Sequence, residues 1–237
     1  MIGFRFIALA CHLFCIPSPQ QNCDQIYRTV LQPSMISIAE KNINKLENKT
    51  RKMPSENSIK VMPKAVVCEE SNLRGDITFS AGCVVHPSAT VFAEAGPIII
   101  GENCILEEYT TIAHRLQVGA RWDANNILSI GTHNVFEVGC TVEATRIGDK
   151  NVFESKCYVG PGVTVPSGCV IGAGIRMHTA QLLPENTIVY GQQALQREAI
   201  EKQGSQTLQI DFLRKVLPNY HHLRKPNHDP KKARSVV

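Results

Sequence analysis

The sequence predicts an all-β solenoid, a left-handed parallel β-helix built from hexapeptide repeats, with about six coils and a C-terminal α-helix. Three observations predict it. An aliphatic or aromatic residue recurs every six positions over long stretches, two nearly identical segments stand 17 residues apart, and a small residue follows most of the anchors at a fixed offset.

The segments are "IGTHNVFEVGC" from Ile130 and "IGDKNVFESKC" from Ile147, identical at seven of eleven positions. A catalytic motif rarely occurs twice in tandem, whereas a unit that stacks on its own copy often does. The anchors form two runs. The first is Val61, Val67, Leu73, Phe79, Val85, Val91 and, after a slip, Ile100, Leu106 and Ile112. The second is Ile130, Phe136, Val142, Ile147, Phe153, Val159, Val165, Ile171, Met177 and Leu183, with one five-residue step at Ile147. A helix repeats every 3.6 residues and a simple strand every two, so neither sustains a six-residue period. Three hexads make one triangular coil, each anchor pointing inward and each strand pairing with the next coil ~4.8 Å away. Hexad prisms of this kind wind left-handed, against the usual right-handed crossover rule.

The offset positions hold Ala65, Ser71, Cys83, Ala89, Ala95, Cys104, Thr110, Cys140, Cys157, Val163 and Cys169. Five of the nine cysteines thus serve as small core residues, and none forms a CxxC pair. Buried free thiols act as small hydrophobes, so a reducing compartment is expected and no Cys140–Cys157 disulfide. Gly follows several anchors, as at Ile100-Gly101, Ile130-Gly131, Ile147-Gly148 and Ile171-Gly172.

The element order follows. Residues 1–52 are read as an N-terminal extension, disordered or from a misassigned start. Its apolar run Phe6–Ile16 resembles a signal-peptide core and is too short to span a bilayer, and it is read as not functional. Residues 53–191 form the prism, interrupted at 113–128 by a loop that carries the only tryptophan, Trp122, either as a contact residue or packed on the coil. Residues 192–218 hold a linker and an amphipathic helix, with Leu208, Phe212, Leu213 and Val216 expected to pack on the prism and Pro218 to end it. Residues 219–237 are a basic tail that includes Ser235.

Charge divides along the same lines. Residues 1–52 hold seven Lys/Arg against three Asp/Glu, residues 214–237 seven against one, and the stretch between them 11 against 17. The basic ends are read as solvated tails. Aromatic residues do not interleave with them, so nucleic acid is not an expected partner, and no membrane partner is expected.

Two enzyme classes use hexad prisms. "NLRGDITFSAG" resembles the first coils of the gamma carbonic anhydrase family, and His114 falls at that family's first zinc position. The next two, in the pattern IG-x6-H-x4-H, fall on Val138 and Glu143. Valine cannot bind a metal, and a catalytic zinc needs three protein ligands. Acyl transfer would need a positioned histidine base. His86, His114, His133 and His178 are candidates, each read as a surface or corner histidine. Glu137, Glu143, Asp149 and Glu154 are read as solvated outer residues, or as an acidic contact face if they converge. No catalytic, cofactor-binding or metal residues are expected.

With the coils laid out, "VMPKAVVCEESNLRGDITFSAGCVVHPSATVFAEAGPIIIGENCILEE", "IGTHNVFEVGC", "NVFESKCYVGPGV", "SGCVIGAGI", "LPENTIVYG" and above all "QTLQIDFLRKVLPNYHHLRK" resemble the dynactin subunit 6 family, the p27 subunits of the dynactin pointed-end complex. The resemblance implies a non-enzymatic scaffold without cofactor that supports dynein-driven transport. It would sit beside a second β-helix subunit, p25 (dynactin subunit 5), near the p62 subunit and the pointed-end actin-related protein, with dynein and its adaptors reached indirectly. It also implies a cytoplasmic, cytoskeleton-associated location, including the kinetochore in mitosis. The alternative is a homotrimeric hexapeptide enzyme, an acyltransferase or a carbonic anhydrase relative.

Overall fold

The computed structural model describes residues 57–225, apart from residues 118, 202, 203 and 205. The extension over residues 1–52 and the tail beyond Lys225, with Ser235, lie outside the described residues.

Six complete coils of three strands stack along one axis. The first two hold β1 (Ser58–Val61), β2 (Val66–Val67), β3 (Asn72–Arg74), β4 (Asp76–Phe79), β5 (Val84–Val85) and β6 (Thr90–Ala93). The third and fourth hold β7 (Ile98–Ile100), β8 (Ile105–Leu106), β9 (Thr111–His114), β10 (Leu128–Ile130), β11 (Val135–Phe136) and β12 (Thr141–Val142). The last two hold β13 (Arg146–Ile147), β14 (Val152–Phe153), β15 (Tyr158–Val159), β16 (Thr164–Val165), β17 (Val170–Ile171) and β18 (Arg176–Met177). A partial seventh turn runs past Leu182, which bridges Thr164, into β19 (Thr187–Tyr190), and β20 (Leu195–Glu198) folds back antiparallel on it. The prism therefore has about seven turns, because Leu183 and Val189 carry the six-residue step past the last full coil; both are buried.

Every third strand falls in the same sheet, which gives the left-handed prism three faces. Face one is β1-β4-β7-β10-β13-β16, face two runs from β2 to β17, β19 and β20, and face three is β3-β6-β9-β12-β15-β18. The register places like on like: Ile130 pairs with Ile147, Phe136 with Phe153 and Val142 with Val159. Each anchor from Val61 to Leu183 is buried. The slip before Ile100 is taken up where β6 extends to Ala93 and the chain turns through Gly96 and Pro97. The loop is shorter than its sequence bounds, spanning residues 115–127, because β9 continues to His114 and β10 begins at Leu128.

The glycines after the anchors follow from coil spacing. A Cβ on Gly131 would collide with the carbonyl of Gly148 on the next coil, so the corner closes only without one. The position two residues before each face-two anchor forms a ladder, Ala65, Cys83, Cys104, Asn134, Asn151 and Cys169. The equivalent ladder on the next corner includes Thr110, Cys140 and Cys157. The six described cysteines are buried and free. Burial pushes the Cys104 thiol well up, and the Cys157 thiol together with burial does the same for Cys140, so both stay protonated fillers.

The asparagines in the first ladder carry polar stitching. Asn134 Nδ2 donates to the carbonyls of Gly131 (2.8 Å) and Gly148 (2.9 Å), and its Oδ1 accepts from Asn151 N–H at 2.9 Å. Asn151 Oδ1 accepts from Cys169 N–H at 2.7 Å, and there the ladder ends because the next coil offers a thiol.

The C-terminal helix α1 (Thr207–Val216), followed by a 3-10 turn at Leu217–Asn219, lies on face two. Ile210, Leu213 and Leu217 pack it against the outward residues Val66, Val84, Ile105 and Val135. Leu208 and Phe212 do not pack: they are 87% and 62% exposed, and Val216 is half-buried. The physical reason is helical geometry. At about 100° per residue, positions 208 and 212 lie opposite 210 and 217, and a flat sheet meets only one stripe of a helix.

The chain after α1 is not all tail. Glu69 N–H donates to the His222 carbonyl and Arg224 N–H to the Val67 carbonyl, both at 2.8 Å, while Leu223 bridges Cys68 antiparallel. Residues 222–224 thus cover the open edge of β2, a row of backbone groups that would otherwise template pairing with another chain.

Candidate functional site

The residues that could form a metal or catalytic site are placed apart or already engaged. His114 ends β9 on face three, half-buried, with Nδ1 3.3 Å from the Gly96 carbonyl. Val138 sits on the corner between faces two and three, 37% exposed. Glu143 is held by Arg115, whose Nε donates to its Oε1 at 2.8 Å, and by the Tyr158 hydroxyl at 3.2 Å. Among the described residues, no three His, Cys, Asp or Glu side chains stand close enough together to hold a metal ion.

His86 has a carboxylate partner that sequence does not assign, Glu108, with Oε1 2.8 Å from Nδ1. Burial raises the Glu108 carboxyl, but the His86 hydrogen bond leads the contacts that bring it below the ordinary range. The ring is buried, and its Nε2 is shielded from solvent with no hydrogen-bond partner among the described residues. The pair belongs to the corner beneath the returning C-terminal segment, where His221 Nδ1 lies 3.3 Å from Glu70. Burial first, then Glu70 and Glu108, pushes the neighbouring Cys68 thiol up to about 11. His133 takes a left-handed corner (φ 57°) with Nε2 3.4 Å from Asn103, and His178 lies exposed beside Tyr158, ring centroids 5.0 Å apart.

The acidic candidates do not converge on one face, because each serves a bond between coils. Glu137 accepts from Ser155 N–H (3.0 Å) and Oγ (2.9 Å), and Glu154 accepts from Ala173 N–H (2.8 Å). Asp149 accepts from Thr132 N–H at 2.6 Å. Trp122 is half-buried rather than presented, and its loop is tied down where Asp123 N–H donates to the Ala95 carbonyl at 3.0 Å.

What the prism does present is an ordered stripe of outward residues running along face three. The Arg74 guanidinium lies 5.4 Å from the Phe92 ring centroid, and the Arg115 guanidinium 5.9 Å from the same ring. Arg115 Nη1 donates to Glu94 (3.1 Å) while its Nε holds Glu143, and Tyr158 and His178 continue the row. Arg and Tyr held by ion pairs and hydrogen bonds have little rotamer freedom left to lose, the property that favours such residues at protein interfaces. Such a surface suits rigid docking. Sequence reasoning missed all but Glu143 and His178 of this stripe, though its members stand from one place before to three places after the face-three anchors of the repeat.

Comparison with known proteins places the chain in a family. The dynactin subunit 6 of Danio rerio is 47% identical over 178 residues, covering 73% of this chain and 91% of that protein. Those of Nematostella vectensis and Dictyostelium discoideum are 44% and 30% identical, each spanning more than nine-tenths of the relative. The chain belongs to the dynactin subunit 6 family. No protein-family profile matches it. Among solved structures, a hexapeptide transferase family protein from Anaplasma phagocytophilum aligns over 70% of this chain and 90% of its own at 15% identity and a TM-score of 0.44, a likeness from which no chemistry follows. In this member of the dynactin subunit 6 family, no helix among the described residues is long and apolar enough to cross a membrane.

His114 gives a pH test of its role as a packed side chain. Burial pushes its imidazole below the ordinary value of 6.5, and the Gly96 carbonyl pulls it only partly back. The unfolded chain therefore binds a proton near pH 6.5 that the folded chain takes up only at lower pH, so this contribution is full above 6.5 and is lost as pH falls below it. The drop in Tm between about pH 7.5 and 5.5 should shrink in His114→Asn. An unchanged drop would mean that His114 titrates alike in both states.

Proposed function

We propose that the chain is a non-catalytic structural and adaptor subunit of dynactin, working in its pointed-end complex to support dynein-driven transport and cargo attachment. The observation that carries this reading is the 47% identity to a protein named dynactin subunit 6 across 91% of that protein's length. The physical layout supports it: a rigid prism, candidate catalytic groups engaged in packing, and an ordered Arg-aromatic stripe left facing outward. In this reading the stripe on face three serves side-by-side packing against the p25 subunit, with the p62 subunit and the pointed-end actin-related protein nearby. Dynein and its adaptors are reached indirectly, and the location is the cytoplasm, on the cytoskeleton.

The test is affinity capture of the tagged full chain from native lysate, with mass spectrometry and metal quantification on one sample. Recovery of p25 and the actin-related filament without stoichiometric zinc is the expected result. A homotrimer that brings down no dynactin subunit, or about one zinc per chain, would overturn the proposal. A second expectation concerns the stripe. Arg115→Glu removes both ion pairs and should lower p25 recovery at least about tenfold without lowering overall stability by more than a surface change does.

A further inference from the structure

α1 keeps two large apolar side chains out of the core. Leu208 is 87% and Phe212 62% exposed, on the side of the helix opposite the packed residues Ile210 and Leu217. Asp211 and Lys215 flank them on the same side, by the three- and four-residue spacing of a helix surface. Beside this face is a recess of about 350 Å³ lined by Lys64, Ala65, Val66, Asp211, Arg214 and Lys215. Its floor is the first corner of the prism, where Lys64 takes a left-handed turn (φ 67°) and Met62, two residues earlier, is 47% exposed. The one carboxylate in the recess, Asp211, lies 3.8 Å from Arg214, so among the described residues Lys64 and Lys215 are the recess cations with no ion pair.

We infer that this groove, between the outer face of α1 and the first corner, docks an acidic peptide segment of another polypeptide that carries apolar side chains. Leu208, Phe212 and Met62 would take the apolar side chains while Lys64 and Lys215 pair with its carboxylates. Charge selects this occupant over the alternatives. The chain's own ends carry the groove's sign: residues 1–56 hold seven Lys/Arg against four Asp/Glu, and residues 226–237 three against one. Nucleic acid and anionic membranes call for a broad basic surface, whereas this patch is small and the stretch between the two basic ends holds 17 Asp/Glu against 11 Lys/Arg. The inference goes beyond dynactin membership, since it names a separate surface on face two and a partner chemistry.

The experiment is zero-length carbodiimide cross-linking, which joins a Lys amine only to a carboxylate in contact. It is applied to the tagged full chain in native lysate, with the joined peptides sequenced by mass spectrometry. The expected result joins Lys64 or Lys215 to Asp or Glu in one apolar-containing segment of a different polypeptide. The cross-link should fall at least tenfold in Leu208→Ser/Phe212→Ser, whose Tm stays unchanged because both side chains are exposed. Cross-links confined to Asp211 and other carboxylates of this chain, or running to a second copy, would overturn it. So would a cross-link indifferent to the double substitution, or capture of the chain by phosphatidylserine vesicles that the same substitution abolishes. A groove-specific cross-link with no dynactin subunit recovered would overturn the assembly reading and leave the groove standing.

Discussion

Phe136→Ala should lower the unfolding free energy by about 3–5 kcal/mol, the largest effect of any single core truncation expected here. Phe136 and Phe153 are both fully buried, and their rings stack one coil apart with centroids 4.7 Å from each other and planes 1° apart. Removing one ring leaves a void that rigid backbone ladders on both sides cannot close, because each coil is hydrogen-bonded to its neighbours. Phe136→Leu should cost much less, about 1–2 kcal/mol, since the same ladder already holds Leu106 beside Phe136 and Ile171 beside Phe153. In a stack where each coil touches only its neighbours, a void in the fourth coil also weakens propagation between the two ends. The urea transition of Phe136→Ala should therefore broaden as well as shift. A loss below about 1.5 kcal/mol for the alanine variant would show that the prism relaxes around the void.

Asn134→Ala should cost about 3 kcal/mol, because it strands buried polar groups rather than only opening space. Its amide serves the carbonyls of Gly131 and Gly148 and the N–H of Asn151, and its side chain has no solvent to replace them. Asn134→Asp discriminates polarity from volume. The carboxylate has the same shape but turns an acceptor toward two carbonyls, so it should cost at least as much as alanine. Thermal or urea unfolding of both variants checks this, and a tolerated aspartate would mean the amide is oriented the other way.

The repeat was legible because burial in a hexad prism is periodic and local. The core anchors and the cysteine positions could be read one residue at a time, since an inward position in one coil is inward in the next. The five-residue step at Ile147 and the slip before Ile100 were legible as irregularities, and the corners absorb both. Asn134 and Asn151 were hidden for the opposite reason. A buried asparagine looks polar in sequence, and only the coil above shows which groups the Asn134 amide and the Asn151 carbonyl serve. The repeated "NVF" was the available signal.

The candidate site was less legible. Val138 and Glu143 already spoke against a three-ligand zinc centre, yet nothing in the sequence paired His86 with Glu108 or Glu143 with Arg115, partners 22 and 28 residues apart. Those distances in sequence are one coil in space, and one coil length varies wherever a loop is inserted.

By itself the sequence determined the solenoid, its three-hexad period, the residues that fill it and the family to which it belongs. Only the tertiary structure decided which face the helix covers, which side of the helix is left bare, and how residues 222–224 close the first edge. The division has a physical cause. Stacking is a nearest-neighbour interaction repeated along the chain, whereas the docking of a helix and the return of a terminus join segments some 150 residues apart, where no periodicity links the partners.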